Sequence, residues 1–95
     1  MSYRPNQLSK VQKEAFELFC KKNKDYGDSF STYGPLGVIV RIGDKINRLT
    51  NVSKNGINMV NDESLRDTLI DLHNYSAMAV MLMDEGKTKK ETENQ

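Results

Sequence analysis

Cysteine is almost missing from this chain. The single thiol, Cys20, has no partner for an internal disulfide, so a cross-linked secreted scaffold is excluded and a reducing cytoplasm is the expected setting. Histidine is equally scarce. His73 stands alone, and without a second histidine or a thiol cluster there is no zinc ligand set. No run of about 18 apolar residues appears, which leaves no candidate for a membrane-spanning helix. The opening MSYRPNQLSK lacks the apolar core of a secretory leader, so secretion is not expected. Fourteen basic residues against thirteen acidic ones leave a formal charge of +1, which removes the general electrostatic case for nucleic-acid or membrane-surface binding. There is no glycine-rich phosphate loop of the Walker type, no helix-turn-helix signature and no internal repeat.

What is present is helical periodicity in one 95-residue chain. The spacing predicts three helices and an all-α domain over residues 1–86, followed by a disordered polar tail at 87–95. Helix one is expected from Lys10 to about Lys24, with Ser9 as N-cap and Gln12 completing a capping box. Val11, Ala15, Leu18 and Phe19 form its apolar face. Helix two is expected from Pro35 or Leu36 to Asn51, with Ile39, Ile42, Ile46 and Leu49 on its apolar stripe. Arg41, Asp44, Lys45 and Arg48 form a second stripe. A turn at Asn55-Gly56 leads to helix three, capped by Asn61, stapled by Val60 and Leu65, and stopped by Gly86 near Glu85. The segment SAMAVMLM within it is apolar nearly all round. One chain of three helices does not surround it, so a homo-oligomer that closes a helical bundle is expected.

Helix three carries acids where a core helix does not usually have them. Placed about 100° per residue from Glu63, Asp67 falls near 40°, Asp71 near 80° and Asn74 near 20°, a narrow stripe. Carboxylates one turn apart supply oxygen ligands for magnesium, which makes Glu63, Asp67 and Asp71, with Asp44 of helix two, candidate metal ligands. The competing reading is that Glu63 and Asp67 pair with Arg66 or with the cations of helix two. Arg41, Lys45 and Arg48 suit a phosphate as a bidentate fork and a point charge, or a plain inter-helix ion-pair network. The loop KNKDYGDSF adds Lys22, Tyr26, Asp28 and Phe30 to the candidate nucleotide contacts, and Asn74 of helix three joins them. The loop's aromatics either stack on a base or plug the end of the bundle. His73 lies away from the acids and fits a surface or packing role, and Cys20 has no nearby base.

The segments KNKDYGDSF, GVIVRIGDKINRLTN and NDESLRDTLIDLHNYSAMA together resemble the nucleotide-modification-associated domain of the first type. That small all-helical family is frequent in bacteriophages and related to the MazG-like nucleotide pyrophosphohydrolases. The resemblance runs from about Phe19 to Met83. It implies a MazG-like bundle completed by oligomerisation, a nucleotide or nucleotide-derived ligand, and residence in the cytoplasm of a bacterial host cell. MazG-like enzymes release pyrophosphate from nucleoside triphosphates with magnesium, held by EExxE on one helix and ExxD on the next. Here Asp44 matches the last glutamate, but Val40 and Arg41 replace the first pair. Asp71 matches the aspartate, but Thr68 holds the glutamate position, with Asp67 one turn earlier. Fewer acids and more cations suit phosphate binding without cleavage. Three functions therefore compete. They are a non-hydrolytic binder that sequesters a cyclic or modified nucleotide signal as an anti-defence sponge, a magnesium-dependent pyrophosphohydrolase, and a structural helical bundle.

Overall fold

The computed structural model describes residues 2–26, 31–54 and 63–93. It is all-α, with three helices: α1 (Tyr3–Tyr26), α2 (Gly34–Lys54) and α3 (Glu63–Glu93). Among the described residues there is no strand, and no helix is long and apolar enough to cross a membrane.

Each helix is longer than its periodicity suggested. α1 starts seven residues before Lys10, so Ser9 is interior and not a cap. The first turn begins where the Asn6 amide donates to the Ser2 carbonyl at 3.0 Å. Pro5 fits this turn because its missing N–H has no intrahelical acceptor there. The Arg4 guanidinium lies 5.3 Å from the Tyr3 ring centroid and donates to Gln7 at 2.6 Å, which supports an otherwise solvated start. α2 opens at Gly34, whose φ of +68° is the left-handed conformation that glycine adopts without a Cβ penalty. Three residues on, Gly37 is held by space. A Cβ there would come 2.7 Å from the Cβ of Tyr33.

α3 does not stop at Gly86 but continues to Glu93. A lone glycine costs a helix only about 1 kcal/mol relative to alanine. The expected turn at Asn55-Gly56, the Asn61 cap and the Val60 half of the staple lie outside the described residues.

α2 and α3 are antiparallel. Val38 near the start of α2 packs with Met78, Ala79 and Leu82 late in α3, while Lys45 further along α2 reaches back to Asp71 and Tyr75. Phe19 of α1, Ile42 and Tyr75 close over this cluster. The apolar face of α1 is as expected, with Ala15 buried and Val11, Leu18 and Phe19 half-buried. The stripe of α2 is rotated from the expected one. Ile42 packs against the Val38 cluster and Leu49 is half-buried further along, but Ile39 and Ile46 are about half exposed on an open side. In SAMAVMLM, Met78, Ala79 and Leu82 are buried, whereas Val80, Met81 and Met83 face out.

Candidate functional site

The stripe on α3 separates into groups with different fates. Asp71 turns inward and meets two cations. Its Oδ1 lies 2.9 Å from Lys22 Nζ of α1, and its Oδ2 lies 3.5 Å from Lys45 Nζ of α2. Asp71 thus links all three helices. The carboxylate is 19% exposed and Lys45 is 20% exposed, so water screens that pair less than a surface pair. Lys22, at 42%, remains reachable from solvent. Lys45 also sits 5.9 Å from the centroid of Tyr75, at the outer range of a cation–π contact.

Asn74, a candidate ligand contact in the sequence, has a structural task. Its Nδ2 donates to the Ala15 carbonyl at 2.9 Å and pins α3 to α1, and its Oδ1 lies 3.0 Å from His73 Nδ1. Asp67 is exposed. Thr68, at the place of the missing glutamate, is buried and donates its hydroxyl to the Ser64 carbonyl at 2.9 Å, a satisfied helix residue. The side chains of Tyr26 and Glu63, and all of Asp28 and Phe30, lie outside the described residues.

Arg66 makes its hydrogen bonds across to α1, with Asp67 on its own helix adding only a smaller electrostatic contribution. The guanidinium reaches Glu14 with both terminal nitrogens, at 2.5 and 2.9 Å. This fork lowers the Glu14 carboxyl below its ordinary value, chiefly through the Arg66 hydrogen bond, and raises Arg66 for the same reason. Both groups are about half exposed. A depressed carboxyl contributes stability that is present above its unfolded value, about 4.3, and is lost as pH falls through the lower folded value. Glu14→Gln should therefore lower the thermal midpoint slightly at neutral pH. The gap to wild type should close in acid and shrink at 1 M salt, where the Debye length is about 3 Å. A pH and salt series of melting curves checks this.

Phe19, Lys22, Asp71, Asn74, Tyr75 and Met78 line a small cleft where α1 crosses the hairpin. Its enclosed space is about 10 Å³, room for roughly one water molecule. Arg41 and Arg48 lie one turn to either side of Lys45 on the same stripe of α2, both exposed, with Asp44 beside them. Among the described residues neither arginine pairs with an α3 carboxylate. That stripe of α2 thus carries three cations, Arg41, Lys45 and Arg48, of which Lys45 reaches Asp71.

Among the described residues no three acidic, histidine or cysteine side chains come together, and both Asp71 oxygens already face ammonium groups. A divalent cation at Asp71 would meet the ammonium groups of Lys22 and Lys45 within a few ångströms.

Sequence reasoning passed over Asn23 and Tyr75. Asn23 follows Lys22 on α1, and its Oδ1 is buried with no hydrogen-bond partner among the described residues. Only the three-dimensional arrangement exposes that orphan acceptor. Tyr75 had a local signal, since it follows Asp71 by one helical turn on the same face.

A family profile described as nucleotide modification associated domain 1 matches residues 22–83, more than half of the chain. The matched span opens at Lys22 and includes every cleft residue except Phe19. No curated protein and no solved structure matches the chain.

Proposed function

Because the chain belongs to the nucleotide modification associated domain 1 family, we propose that it binds a nucleotide or nucleotide-derived small molecule by its phosphate and releases it intact. The observation that carries this reading is the Lys22–Asp71–Lys45 junction, with Arg41 and Arg48 exposed one turn to either side of Lys45 on α2. Asp71 holds two ammonium groups at one spot, where a phosphate can take over the role of counter-ion. A guanidinium on either side adds donors for further phosphate oxygens. The cleft accepts about one water, so the ligand engages the mouth and displaces Lys22, the most exposed member of the junction, from Asp71. Lys22 and Asp71 are the moving parts of such a site, and Lys45 is its fixed cation.

The fuller form of the reading is a binder that sequesters a cyclic or modified nucleotide signal, an anti-defence sponge of the kind a bacteriophage deploys. It is supported by the eroded EExxE and ExxD acids and by cations where a hydrolase carries carboxylates. The alternative, a magnesium-dependent pyrophosphohydrolase, requires a metal cluster that the described residues do not form.

The test is a thermal-shift panel of linear and cyclic nucleotides with and without magnesium, each hit followed by chromatography. A true ligand at 100 times its Kd should add about 2.7 kcal/mol of stability, an upward shift of roughly 10–20 °C for a domain of this size. We expect such a shift without magnesium and recovery of uncleaved ligand. Pyrophosphate in the recovered sample would replace this reading with the hydrolase. A panel with no shift would leave the junction a structural ion pair.

A further inference from the structure

We infer that Asn23 is the residue through which the cleft reads its ligand, accepting a hydrogen bond from an N–H on the edge of a nucleobase. This rests on the nucleotide reading above and adds to it the group that the ligand must present. Asn23 follows Lys22 directly and Phe19 by one helical turn, so it stands beside the two α1 residues that line the cleft. The residue is half-buried, and its Oδ1 is shut off from solvent with no hydrogen-bond partner among the described residues.

An acceptor in that state destabilises the free chain. Folding strips it of water and returns no bond, which is why buried polar atoms are nearly always paired. Local structure gives no reason for asparagine at this place. It is a weak helix former, of use inside a helix mainly where its side chain meets solvent or bonds the backbone, and the Asn23 Oδ1 does neither. Asn23 is not a left-handed C-cap, since Gly34 alone among the described residues has a positive φ. Asn74 makes the contrast, with its Nδ2 on the Ala15 carbonyl and its Oδ1 against His73 Nδ1.

What Oδ1 lacks is a donor. An ionised phosphate only accepts, so it suits Lys22 and Lys45 and leaves Asn23 unsatisfied. The donor must come from another part of the same ligand. Phe19 and Tyr75 give the cleft two aromatic walls of the kind on which a base stacks, and each ordinary base carries an N–H on its pairing edge. Lys22 and Asn23 share one turn of backbone. A phosphate that draws Lys22 away from Asp71 therefore moves the turn that covers Oδ1 and opens it to the base.

The test is calorimetry of the full chain as wild type, Asn23→Leu and Asn23→Ala. The probes are the 5′-monophosphates and 3′,5′-cyclic monophosphates of adenosine, guanosine, cytidine and uridine, with ribose 5-phosphate and inorganic phosphate beside them. Wild type is expected to hold at least one nucleotide about tenfold more tightly than ribose 5-phosphate. Both variants should hold that nucleotide no better than ribose 5-phosphate, with unchanged affinity for inorganic phosphate, because no cation is altered. Melting curves without ligand give a second readout. Both variants should melt at or above the wild-type midpoint, since each removes the orphan acceptor and favours the helix more than asparagine does. A lower midpoint in both would show that Oδ1 is bonded in the free chain and would overturn the inference. A nucleotide held equally by wild type and variants would overturn it too, as would an equal loss of ribose 5-phosphate, which would move the donor to the sugar. In each of those cases phosphate binding survives. If wild type binds neither nucleotide nor phosphate, the nucleotide reading itself falls and takes this inference with it.

Discussion

Asp71→Asn should lower the thermal midpoint of the free chain by about 8–16 °C and at the same time tighten its grip on a phosphate. The first effect follows from what Asp71 neutralises. Two ammonium groups lie 2.9 and 3.5 Å from its oxygens, and one of them, Lys45, is four-fifths covered by protein. Removing the negative charge takes from Lys45 the carboxylate it faces. A half-buried charge left without its partner costs about 2 kcal/mol. In a domain of this size each kcal/mol moves the midpoint by roughly 4–8 °C. Melting curves of the two proteins without ligand measure the loss directly.

The second effect has the opposite sign because Asp71 and a phosphate compete for the same lysines. In the free protein the carboxylate is the occupant, and an arriving phosphate must displace it. With asparagine the displacement cost disappears, and the phosphate restores the charge balance that the substitution removed. A gain of about 1.4 kcal/mol would appear as a tenfold lower Kd by calorimetry, and ligand should rescue the lost midpoint. If Asp71 instead held magnesium for hydrolysis, the same substitution would weaken ligand binding and abolish product. Tighter binding supports the intact-release reading, and weaker binding sinks it.

The sequence carried the helices better than it carried their ends or their partners. A 3.6-residue period is local, so α1, α2 and α3 all stood out from spacing alone. Their ends depend on signals that a longer helix overrides, as Ser9 and Gly86 show. Both residues favour termini, yet each costs a helix interior only about 0.5–1 kcal/mol, less than several added turns can offset. The rotation of α2 was ambiguous for another reason. Apolar residues cover more than half its circumference, so Ile39 and Ile46 fit a buried stripe as well as Val38 does, and only the position of α3 decides.

The candidate site was legible as a set of residue types and not as a set of contacts. Lys22, Lys45 and Asp71 were all nominated, but Lys22 and Asp71 are 49 residues apart, and no local pattern joins them. Arg66 is the clearest case of non-local choice. Acids at Glu63 and Asp67 stand close by on its own helix, yet it forks onto Glu14, 52 residues away. A guanidinium with both arms on one carboxylate gains a geometry that neighbours along a helix seldom allow. Asn74 was assigned to a ligand because its stripe held acids. The Ala15 carbonyl, which claims it, is backbone and invisible to any reading of side-chain types.

Met78→Ala should be the most damaging single truncation in the chain. Met78 is 3% exposed, belongs to the cluster of Val38, Ala79 and Leu82, and also forms a wall of the cleft beside Asp71. Only seven hydrophobic side chains are buried among the described residues, so few others can move in to fill the gap. Removing a buried methionine side chain costs about 2–5 kcal/mol, against a total stability of about 5–15 kcal/mol for a typical domain. Denaturant unfolding should show that loss as a lowered midpoint with little change in slope. Met78→Leu preserves most of the volume and should cost less than about 1.5 kcal/mol. The cleft gives the truncation a second readout. Alanine opens the wall next to Tyr75, so a ligand whose base or sugar rests at the mouth should lose contact area and bind more weakly, although the protein's charge is unchanged. Loss of stability with unchanged ligand affinity would place the ligand wholly on the cationic rim. Loss of both would extend the site into the cleft, with Phe19 and Tyr75 as its apolar walls.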